Sequence, residues 1–468
     1  MTRSLGLTVI LLALAATAAT QSGPGLAIVN ARLLPISGPA IERGTLLVRD
    51  GRIEKLGADV TAPPGYRTID AQGGTLMPGV VNAHAHTGLT QAAAPSEPRP
   101  NRFRRGGRRR GGSRGGPAGN AENKSDEKVL DHLYARQDVF ADVLRDGVTT
   151  LGLAPTGRGL PGQGAVVRPK GDDVKAMTVV ESAFLSFAPI ADTKTKDLIR
   201  KAIEDGKRAS ERRKRRQAAK EEAPADAGEG PPKEKPEGET PPPDKPAEPG
   251  KEPAKEAPGK EAPAGEGPRG RGGRSQQEPD PGEEAMADLL DGKTRAFVQL
   301  DSAMDFAHWE DVSQDASFTT VVVSRRHATS GSEGALELVL ERLKSRKCTV
   351  LMSPDFDTVP NTQYVVNLAA RLHAGGIEVG FLLPDQGHPL RTTRPQLIEL
   401  VRAGLPAEVA LSGITLTPAK ALGVDQQVGS LEPGKAANLI LWSSDPLDPV
   451  AQLRGVWLEG NEIEDDAR

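Results

Sequence analysis

The stretch LMPGVVNAHAH at residues 76–86 is the part of the sequence that decides the fold. It has the pattern of a short apolar strand that follows a Pro-Gly pair and ends on His84 and His86. Alternate side chains of a strand lie on one face, so we expect the two imidazoles to point the same way. Two neutral imidazoles at the carboxyl end of a buried strand suit a Zn²⁺-type ion. The alternative is two unrelated histidines in a loop between a strand and a helix.

More apolar strands follow this one along the chain, and helical patterns separate most of the later ones. Strands are predicted at 148–153, 165–168, 177–181, 295–300, 318–324, 348–352 and 377–383. Helices are predicted at 127–145, 332–345, 362–373 and 393–403. Near-continuous apolar strands that alternate with helices are typical of a closed parallel barrel. The sequence therefore predicts an α/β fold, a (β/α)8 TIM-type barrel over residues 76–423.

Short strands at both ends of the chain predict a second, smaller domain. Residues 25–36 and 44–56 have strand patterns, and Asp50-Gly51 is a strong signal for a tight hairpin turn. After Gly423 the chain returns to short strands at 428–431, 438–442 and 455–458. We expect residues 24–75 and 424–466 to form one composite β-sandwich domain.

Two stretches interrupt the barrel and have no apolar periodicity. Residues 94–125 include RRGGRRRGG at 104–112, and residues 209–283 are mostly Lys, Glu, Pro, Ala and Gly. Neither can bury enough apolar surface to offset its ordering entropy, so both are predicted to be disordered. An Arg/Gly tract can bind RNA or other polyanions, but without interleaved aromatic residues a solvated loop is favoured. The formal net charge of −3 gives no whole-chain reason to expect a specific nucleic-acid partner.

The first 20 residues have the pattern of a secretory signal peptide. Arg3 gives a positive start, residues 5–16 are almost entirely apolar, and small residues at 16–18 suit a signal peptidase. An uncleaved anchor is the alternative, but the apolar run is shorter than the ~20 residues that span a bilayer. We therefore expect an exported protein, periplasmic or extracellular, with no integral membrane span after cleavage. Cys348 is the only cysteine, so no internal disulfide can form.

Three stretches together resemble the metal-dependent amidohydrolase superfamily, and most closely its imidazolonepropionase-like branch. The first is the strand that ends on His84 and His86. The second is GVTT at 147–150 followed by GQGAVV at 162–167, and the third is LTPAKALG at 416–423 followed by GSLEPGK at 429–435. With the terminal strands, the resemblance covers nearly everything outside the signal and the two low-complexity tracts.

The resemblance implies one metal ion, Zn²⁺ or another divalent metal, held by His84, His86 and Asp385. In the family, an Asp after the last barrel strand ligates the metal and takes a proton from the attacking water, so Asp385 is the implied catalytic residue. The implied activity is hydrolysis of a C–N bond in a small amide or cyclic amide. An Asp in an ordinary Asp-Gln-Gly turn is the structural alternative.

The sequence departs from the family pattern after the fifth and sixth barrel strands, where relatives usually place histidines. Gln299 or Asp301 offers an oxygen after the fifth strand, and Ser324 offers only a weak ligand after the sixth. Glu181 is the best candidate for the bridging ligand of the fourth strand. His388 lies in the predicted active-site loop, where it could bind substrate or replace a lost ligand.

Two functions of different classes remain open at this point. The first is an exported enzyme that hydrolyses a C–N bond other than a peptide bond with metal-activated water. The second is a catalytically inactive descendant without metal, retained as a secreted barrel for binding or assembly. The joint presence of His84, His86 and Asp385 favours the enzyme, and the missing histidines favour the inactive descendant.

Overall fold

The computed structural model describes residues 25–90, 121–189, 192–221, 280–300, 302–314, 316–325, 336–358, 362 and 364–464. The chain divides into two compact units, one of residues 1–210 with 280–468 and one of residues 211–279. The structure describes residues 211–221 of the second unit, and these continue a helix. Among the described residues, no helix combines the length and apolar character that a membrane crossing needs.

The first unit is built from strands β1 to β19. In chain order they are β1 Leu26–Leu33, β2 Ile41–Arg49, β3 Arg52–Gly57, β4 Arg67–Asp70, β5 Thr75–Pro78, β6 Val80–Ala85, β7 Glu122–Asn123, β8 Val148–Leu153, β9 Gly159–Val167, β10 Thr178–Ala188, β11 Arg295–Gln299, β12 Thr320–Ser324, β13 Thr349–Met352, β14 Asp357–Thr358, β15 Val365–Val366, β16 Glu378–Phe381, β17 Leu439–Trp442, β18 Leu453–Leu458 and β19 Asn461–Glu462.

Ten α-helices lie between these strands in the described part of the chain. They are α1 Asp138–Arg145, α2 Val174–Met177, α3 Thr193–Glu221, α4 Pro281–Leu290, α5 Ala303–Ser313, α6 Leu340–Ser345, α7 Leu368–Ala374, α8 Pro389–Arg402, α9 Ala407–Ser412 and α10 Leu416–Leu422. Short 3-10 helices cover Val129–His132 and Leu336–Val339.

The two ends of the described chain meet in one sheet, which we call the terminal sheet. Its strand order is β19-β18-β17-β5-β1-β2-β3, with β4 paired to β1, and β17 lies antiparallel to β5. Hydrogen bonds thus connect all eight strands continuously. Many of their buried side chains form a core cluster of their own, while Met77, Ile440 and Trp442 pack in the cluster of the barrel. The predicted Asp50-Gly51 turn is confirmed, because both residues have positive φ (48° and 75°) between the paired strands β2 and β3.

The second sheet is the predicted barrel, with the order β16-β13-β12-β11-β10-β9-β8-β6. The backbone carbonyls of Gly413 and Ile414 accept hydrogen bonds from Phe381 in β16 and Val81 in β6, and so link the two edge strands. The TIM-type fold is confirmed with one difference, since β9 runs antiparallel to both β8 and β10. Only residues 154–158 separate β8 from β9. A parallel crossover needs a dozen residues or more, so the chain turns back instead.

Several predicted boundaries are wrong. Residues 209–221 were expected to be disordered but belong to α3, because their Lys, Arg, Glu and Ala residues are strong helix formers. Residues 122–123 pair with β9, and residues 281–283 begin α4. The predicted helix at 127–145 is two shorter helices, and 428–431 is irregular because Gly429 has a φ of 93°. The predictions for 1–20, 94–120 and 222–279 lie outside the described residues.

Candidate functional site

Strand β6 brings His84 to the carboxyl end of the barrel strands. Its pairing with β8 shifts in register between the pairs Asn82–Leu151 and Ala85–Leu153. Over this interval β6 advances by three residues and β8 by only two, which is a β-bulge. Bulges of this kind re-aim side chains and are common beside active sites. The His84 side chain is completely buried, and the His86 side chain is 17% exposed just beyond the strand.

Asp385 faces His86 from the segment that follows β16. Its Oδ1 accepts the main-chain N–H of His86 at 2.8 Å, and its Oδ2 lies 3.1 Å from Nδ1 of the His86 ring. Its main-chain carbonyl accepts a bond from the Thr87 hydroxyl at 2.9 Å. Burial opposes ionisation of Asp385, but the His86 hydrogen bonds and the charge of Arg325 outweigh it and lower the carboxyl pKa.

Arg325, which directly follows β12, extends its guanidinium into the space between these three residues. Its Nη2 lies 3.0 Å from Nδ1 of His84 and 3.5 Å from Nδ1 of His86, and it also donates to the His84 carbonyl. Its Nη1 is 3.7 Å from Oδ2 of Asp385. We call His84, His86, Arg325 and Asp385 the mouth cluster.

The protonation state of His84 follows from its surroundings. Burial, and then the positive charge of Arg325 and the neighbouring His86, hold the pKa of His84 well below its usual range, so the ring is neutral. Since Nδ1 accepts from Arg325, the proton of the ring is assigned to Nε2. That Nε2 atom is buried and has no hydrogen-bond partner among the described residues.

Aromatic rings fill the barrel beneath the mouth cluster. The His84 ring lies nearly parallel to the Phe297 ring with 6.4 Å between centroids, and Phe297 stacks on Phe184 at 3.9 Å. Phe184 belongs to β10 and Phe297 to β11, and both are fully buried. The cluster therefore rests on an apolar floor, which keeps water from reaching His84 from below.

The predicted additional ligands do not join the mouth cluster. Glu181 is 69% exposed and pairs with Lys128 at 3.1 Å. Gln299 ends β11 half-buried without a hydrogen bond to the cluster, and His388 is exposed at the start of α8. Asp301 lies outside the described residues.

The level of Glu181 in the barrel explains its separation from the site. Phe184 of β10 is paired with Arg295, the first residue of β11, so Glu181 precedes the whole of that neighbouring strand. A bridging ligand of the fourth strand would have to come from the opposite, carboxyl end of β10. Glu181 therefore cannot serve as that ligand in this structure.

A metal ion does not fit this arrangement. Nδ1 of His84 accepts from Arg325, and both carboxylate oxygens of Asp385 are engaged by His86. Among the described residues, no group of three or more His, Cys, Asp or Glu side chains is arranged to hold a metal. A guanidinium and a divalent ion about 4 Å apart repel by roughly 8 kcal/mol at an effective dielectric constant of about 20. The two cations therefore exclude each other.

Arg325 is the site residue that the sequence reasoning missed. It occupies the position directly after the sixth barrel strand, β12, where the resemblance implies a histidine and where Ser324 was the expected weak ligand. Ser324 is the buried last residue of β12 and does not contact the cluster through a hydrogen bond. A long cationic side chain directly after a buried barrel strand was the signal that could have identified Arg325.

Residues 366–463 match the model described as "Amidohydrolase family". Over 108 residues the chain is 32% identical to the amidohydrolase tasK of Hapsidospora irregularis, a match that covers 21% of this chain and 11% of that protein. Over 46 residues it is 50% identical to the imidazolonepropionase of Klebsiella pneumoniae, covering 10% of this chain and 11% of that enzyme. The matches thus span about a tenth of the length of these curated relatives.

Among solved structures, an amidohydrolase from Thermotoga maritima aligns over 94% of this chain and 99% of its own length. Its TM-score is 0.66 and its sequence identity 22%, so this likeness concerns the fold. The family model thus matches about a fifth of the chain, residues 366–463, and the overall fold is similar to that of the Thermotoga maritima amidohydrolase. The resemblance predicted from the three motifs is therefore confirmed.

Proposed function

We propose that the protein is an exported hydrolase that cleaves a C–N bond in a small linear or cyclic amide at the mouth of its barrel. The observation that carries this proposal is the pairing of Asp385 with His86. Oδ2 of Asp385 lies 3.1 Å from Nδ1 of His86, and Nε2 of His86 has no hydrogen bond to any described residue. An imidazole held by a carboxylate through one nitrogen presents the other as a base.

The proposed reaction uses these two side chains for proton transfer. His86 Nε2 takes a proton from a water molecule as the water oxygen adds to the amide carbonyl carbon. Asp385 keeps the ring in place and stabilises its positive charge. The imidazolium then returns the proton to the nitrogen as the C–N bond breaks, which leaves an amine and a carboxylic acid. The family match supports the choice of an amide as the substrate class.

The alternative function is that of an inactive barrel that binds a ligand. It is supported by Gln299 and Ser324, which end β11 and β12 where the resemblance implies histidines. Losing one group that stabilises the reacting carbonyl oxygen commonly costs about 10²-fold or more in rate. In this case the mouth cluster would bind a small molecule and release it unchanged.

Turnover of a panel of small linear and cyclic amides distinguishes the two functions. We expect hydrolysis that persists in a chelator, and a fall of roughly 10²-fold to 10⁴-fold in kcat for His86→Ala. His373→Ala is the matched control, because His373 is exposed in the last turn of α7 and outside the cluster, and it should leave the rate unchanged. Binding without turnover across the panel would favour the inactive barrel, and an equal loss in both variants would contradict the role of His86.

Export is the second part of the proposal, and the sequence of residues 1–20 supports it. We expect full-length protein made in a Gram-negative host to accumulate in the periplasm without its first residues, and a chain lacking residues 1–20 to stay in the cytoplasm. Mass spectrometry of the fractionated protein checks this. Cytoplasmic accumulation of the unprocessed full-length chain would contradict it.

A further inference from the structure

We infer that the Arg325 side chain stands in the place of the metal ion of this superfamily, so that the native site carries a built-in cation and takes no divalent one. This inference goes beyond the proposed hydrolysis, because it concerns what occupies the site whether or not turnover follows. It rests on the contacts of one guanidinium, on the unpartnered atoms beside it, and on the position of Arg325 in the barrel.

The guanidinium lies among the side chains that are expected to hold a metal ion. The three side chains expected to ligate a metal, His84, His86 and Asp385, are also the three that Arg325 approaches. Nη2 is 3.0 Å from Nδ1 of His84 and 3.5 Å from Nδ1 of His86, and Nη1 is 3.7 Å from Oδ2 of Asp385. One positive group thus lies among two imidazoles and a carboxylate. With the guanidinium in place of a divalent ion, the single positive charge of Arg325 balances the single negative charge of Asp385.

The unpartnered atoms beside the guanidinium also argue against a bound metal ion. Nε2 of His84 and Nε of Arg325 are both buried without a hydrogen-bond partner among the described residues. Because Nδ1 of His84 accepts from Arg325, Nε2 carries the proton, and the guanidinium Nε is always a donor. Both atoms therefore offer N–H groups. While Arg325 donates to Nδ1 of His84, such groups attract an oxygen acceptor, such as water or a carbonyl, and do not coordinate a metal.

The position of Arg325 in the barrel allows its side chain to contact His84, His86 and Asp385. It follows β12, whose parallel neighbours β11 and β13 end at the same level, and β6 and β16 bring the other members to the same end of the barrel. A guanidinium is planar, permanently charged and weakly hydrated, so it loses less on burial than an ammonium group. It can therefore fill a site shared by imidazoles and a carboxylate without an additional counter-ion.

Zinc content is the direct test, because it does not depend on any substrate. The purified wild-type chain is equilibrated with excess Zn²⁺, desalted and analysed by mass spectrometry of the metal. We expect almost no zinc in wild type and about one ion per chain in Arg325→Ala, since three protein ligands are enough for a zinc site. Adding His84→Ala and His86→Ala to Arg325→Ala should remove the gained ion.

The charge-preserving variant Arg325→Lys is the matched control, and it should stay without zinc because its ammonium still repels the ion. If Arg325→Ala does not fold by circular dichroism, Arg325→Met, which is uncharged and closer in size, takes its place. About one zinc in wild type that is lost in a His84→Ala His86→Ala variant would overturn the inference. A folded Arg325→Ala or Arg325→Met chain that gains no zinc would overturn it as well.

Failure of the proposed hydrolysis would look different. A wild-type chain without zinc, a gain of zinc in Arg325→Ala and no amide turnover would keep the inference and reject the enzyme. Chelator-sensitive turnover with zinc in the wild-type chain would reject the inference and keep C–N hydrolysis as the activity.

Discussion

Two polar clusters of the first unit, in each of which a cation meets a carboxylate, differ in how completely their polar groups are satisfied. One is the mouth cluster. The other, which we call the loop cluster, consists of Ser430, Glu432 and Lys435. There, Nζ of Lys435 lies 3.1 Å from Oε1 of Glu432 and donates to the Ser430 hydroxyl, which in turn donates to Oε1 of Glu432 at 2.7 Å. The loop cluster is a closed triangle.

The mouth cluster, by contrast, leaves N–H groups without a partner. Nε2 of His84 and Nε of Arg325 are buried, and an unsatisfied buried polar group costs about 1–3 kcal/mol. A protein that folds reliably rarely keeps such groups unless a ligand or water satisfies them. His84, His86 and the loop cluster come from motifs of the same resemblance, yet the loop cluster is satisfied by its own side chains, whereas the mouth cluster keeps donors without a partner among the described residues.

The largest loss of stability is expected at the aromatic residues on which the mouth cluster packs. Phe297 is fully buried between His84 and Phe184, so Phe297→Ala should lower the free energy of unfolding by about 3–5 kcal/mol. Chemical denaturation measures this loss. Tyr364→Ala is the control, since Tyr364 is 76% exposed and should change stability by less than about 0.5 kcal/mol. A loss below about 1 kcal/mol for Phe297→Ala would show that the mouth cluster does not depend on its aromatic floor.

A smaller loss of stability is expected when one member of either cluster is removed, and its size compares the two clusters directly. Glu432→Ala leaves the buried Lys435 ammonium without its carboxylate, so the free energy of unfolding should fall by about 1–3 kcal/mol. Arg325→Ala should cost less, because Arg325 is 37% exposed and water can replace its contacts. Denaturation curves of the two variants give the ranking. A larger cost for Arg325→Ala would mean that the mouth cluster serves the fold as much as the loop cluster does.

The labelling rate of the cysteine thiol shows whether a variant loses stability across the whole fold. Cys348 is buried directly before β13, and burial raises its pKa to about 11. Only roughly one thiol in a thousand is therefore ionised at pH 8, and the thiolate is the reactive form. We expect a thiol reagent to label the native chain negligibly and the denatured chain fully. Rapid labelling of native wild type would contradict the burial of β13, and faster labelling of Glu432→Ala than of Arg325→Ala would support the ranking.

The smallest effect concerns Asp146, which neither cluster contains. Its carboxylate accepts the main-chain N–H groups of Leu390 and Arg391 at the start of α8, and burial raises its pKa above the usual value of 3.8. The folded state then binds more protons than the unfolded state, so this group's contribution to stability falls as pH rises from 3.8 through the raised pKa.

Asp146→Asn removes that titration. The stability of the variant relative to wild type should therefore increase with pH across this window and become constant above it. Denaturation at several pH values measures the difference. A difference that does not vary with pH would show that the pKa of Asp146 is the same in the folded and unfolded chain.

Apolar strands and turn residues made most of the fold predictable. The pattern of residues 76–86 predicted the first barrel strand, β6, and Asp50-Gly51 predicted a hairpin, because both depend on local patterns. Residues 76–78, expected in the barrel, belong instead to β5 of the terminal sheet. The reversal of β9 was not predictable from apolar content, which is the same for either direction of a buried strand. Residues 209–221 were misjudged because a polar, charged composition suits both a disordered chain and an exposed helix.

The candidate site was predictable in position but not in chemistry. The convergence of His84, His86 and Asp385 follows from their places after barrel strands. The role of Arg325 depends on the direction of one long side chain, and sequence spacing does not determine that direction. Glu181 was placed at the wrong end of its strand because β10 begins near the predicted strand but continues to Ala188.

Anomalous X-ray diffraction at the zinc edge, from crystals of wild-type protein grown with excess Zn²⁺, tests the central claim most directly. We predict electron density for the Arg325 guanidinium between His84, His86 and Asp385, and no anomalous peak there. A zinc peak about 2.0–2.2 Å from the histidine nitrogens and an Asp385 oxygen, with Arg325 turned away, would contradict the account.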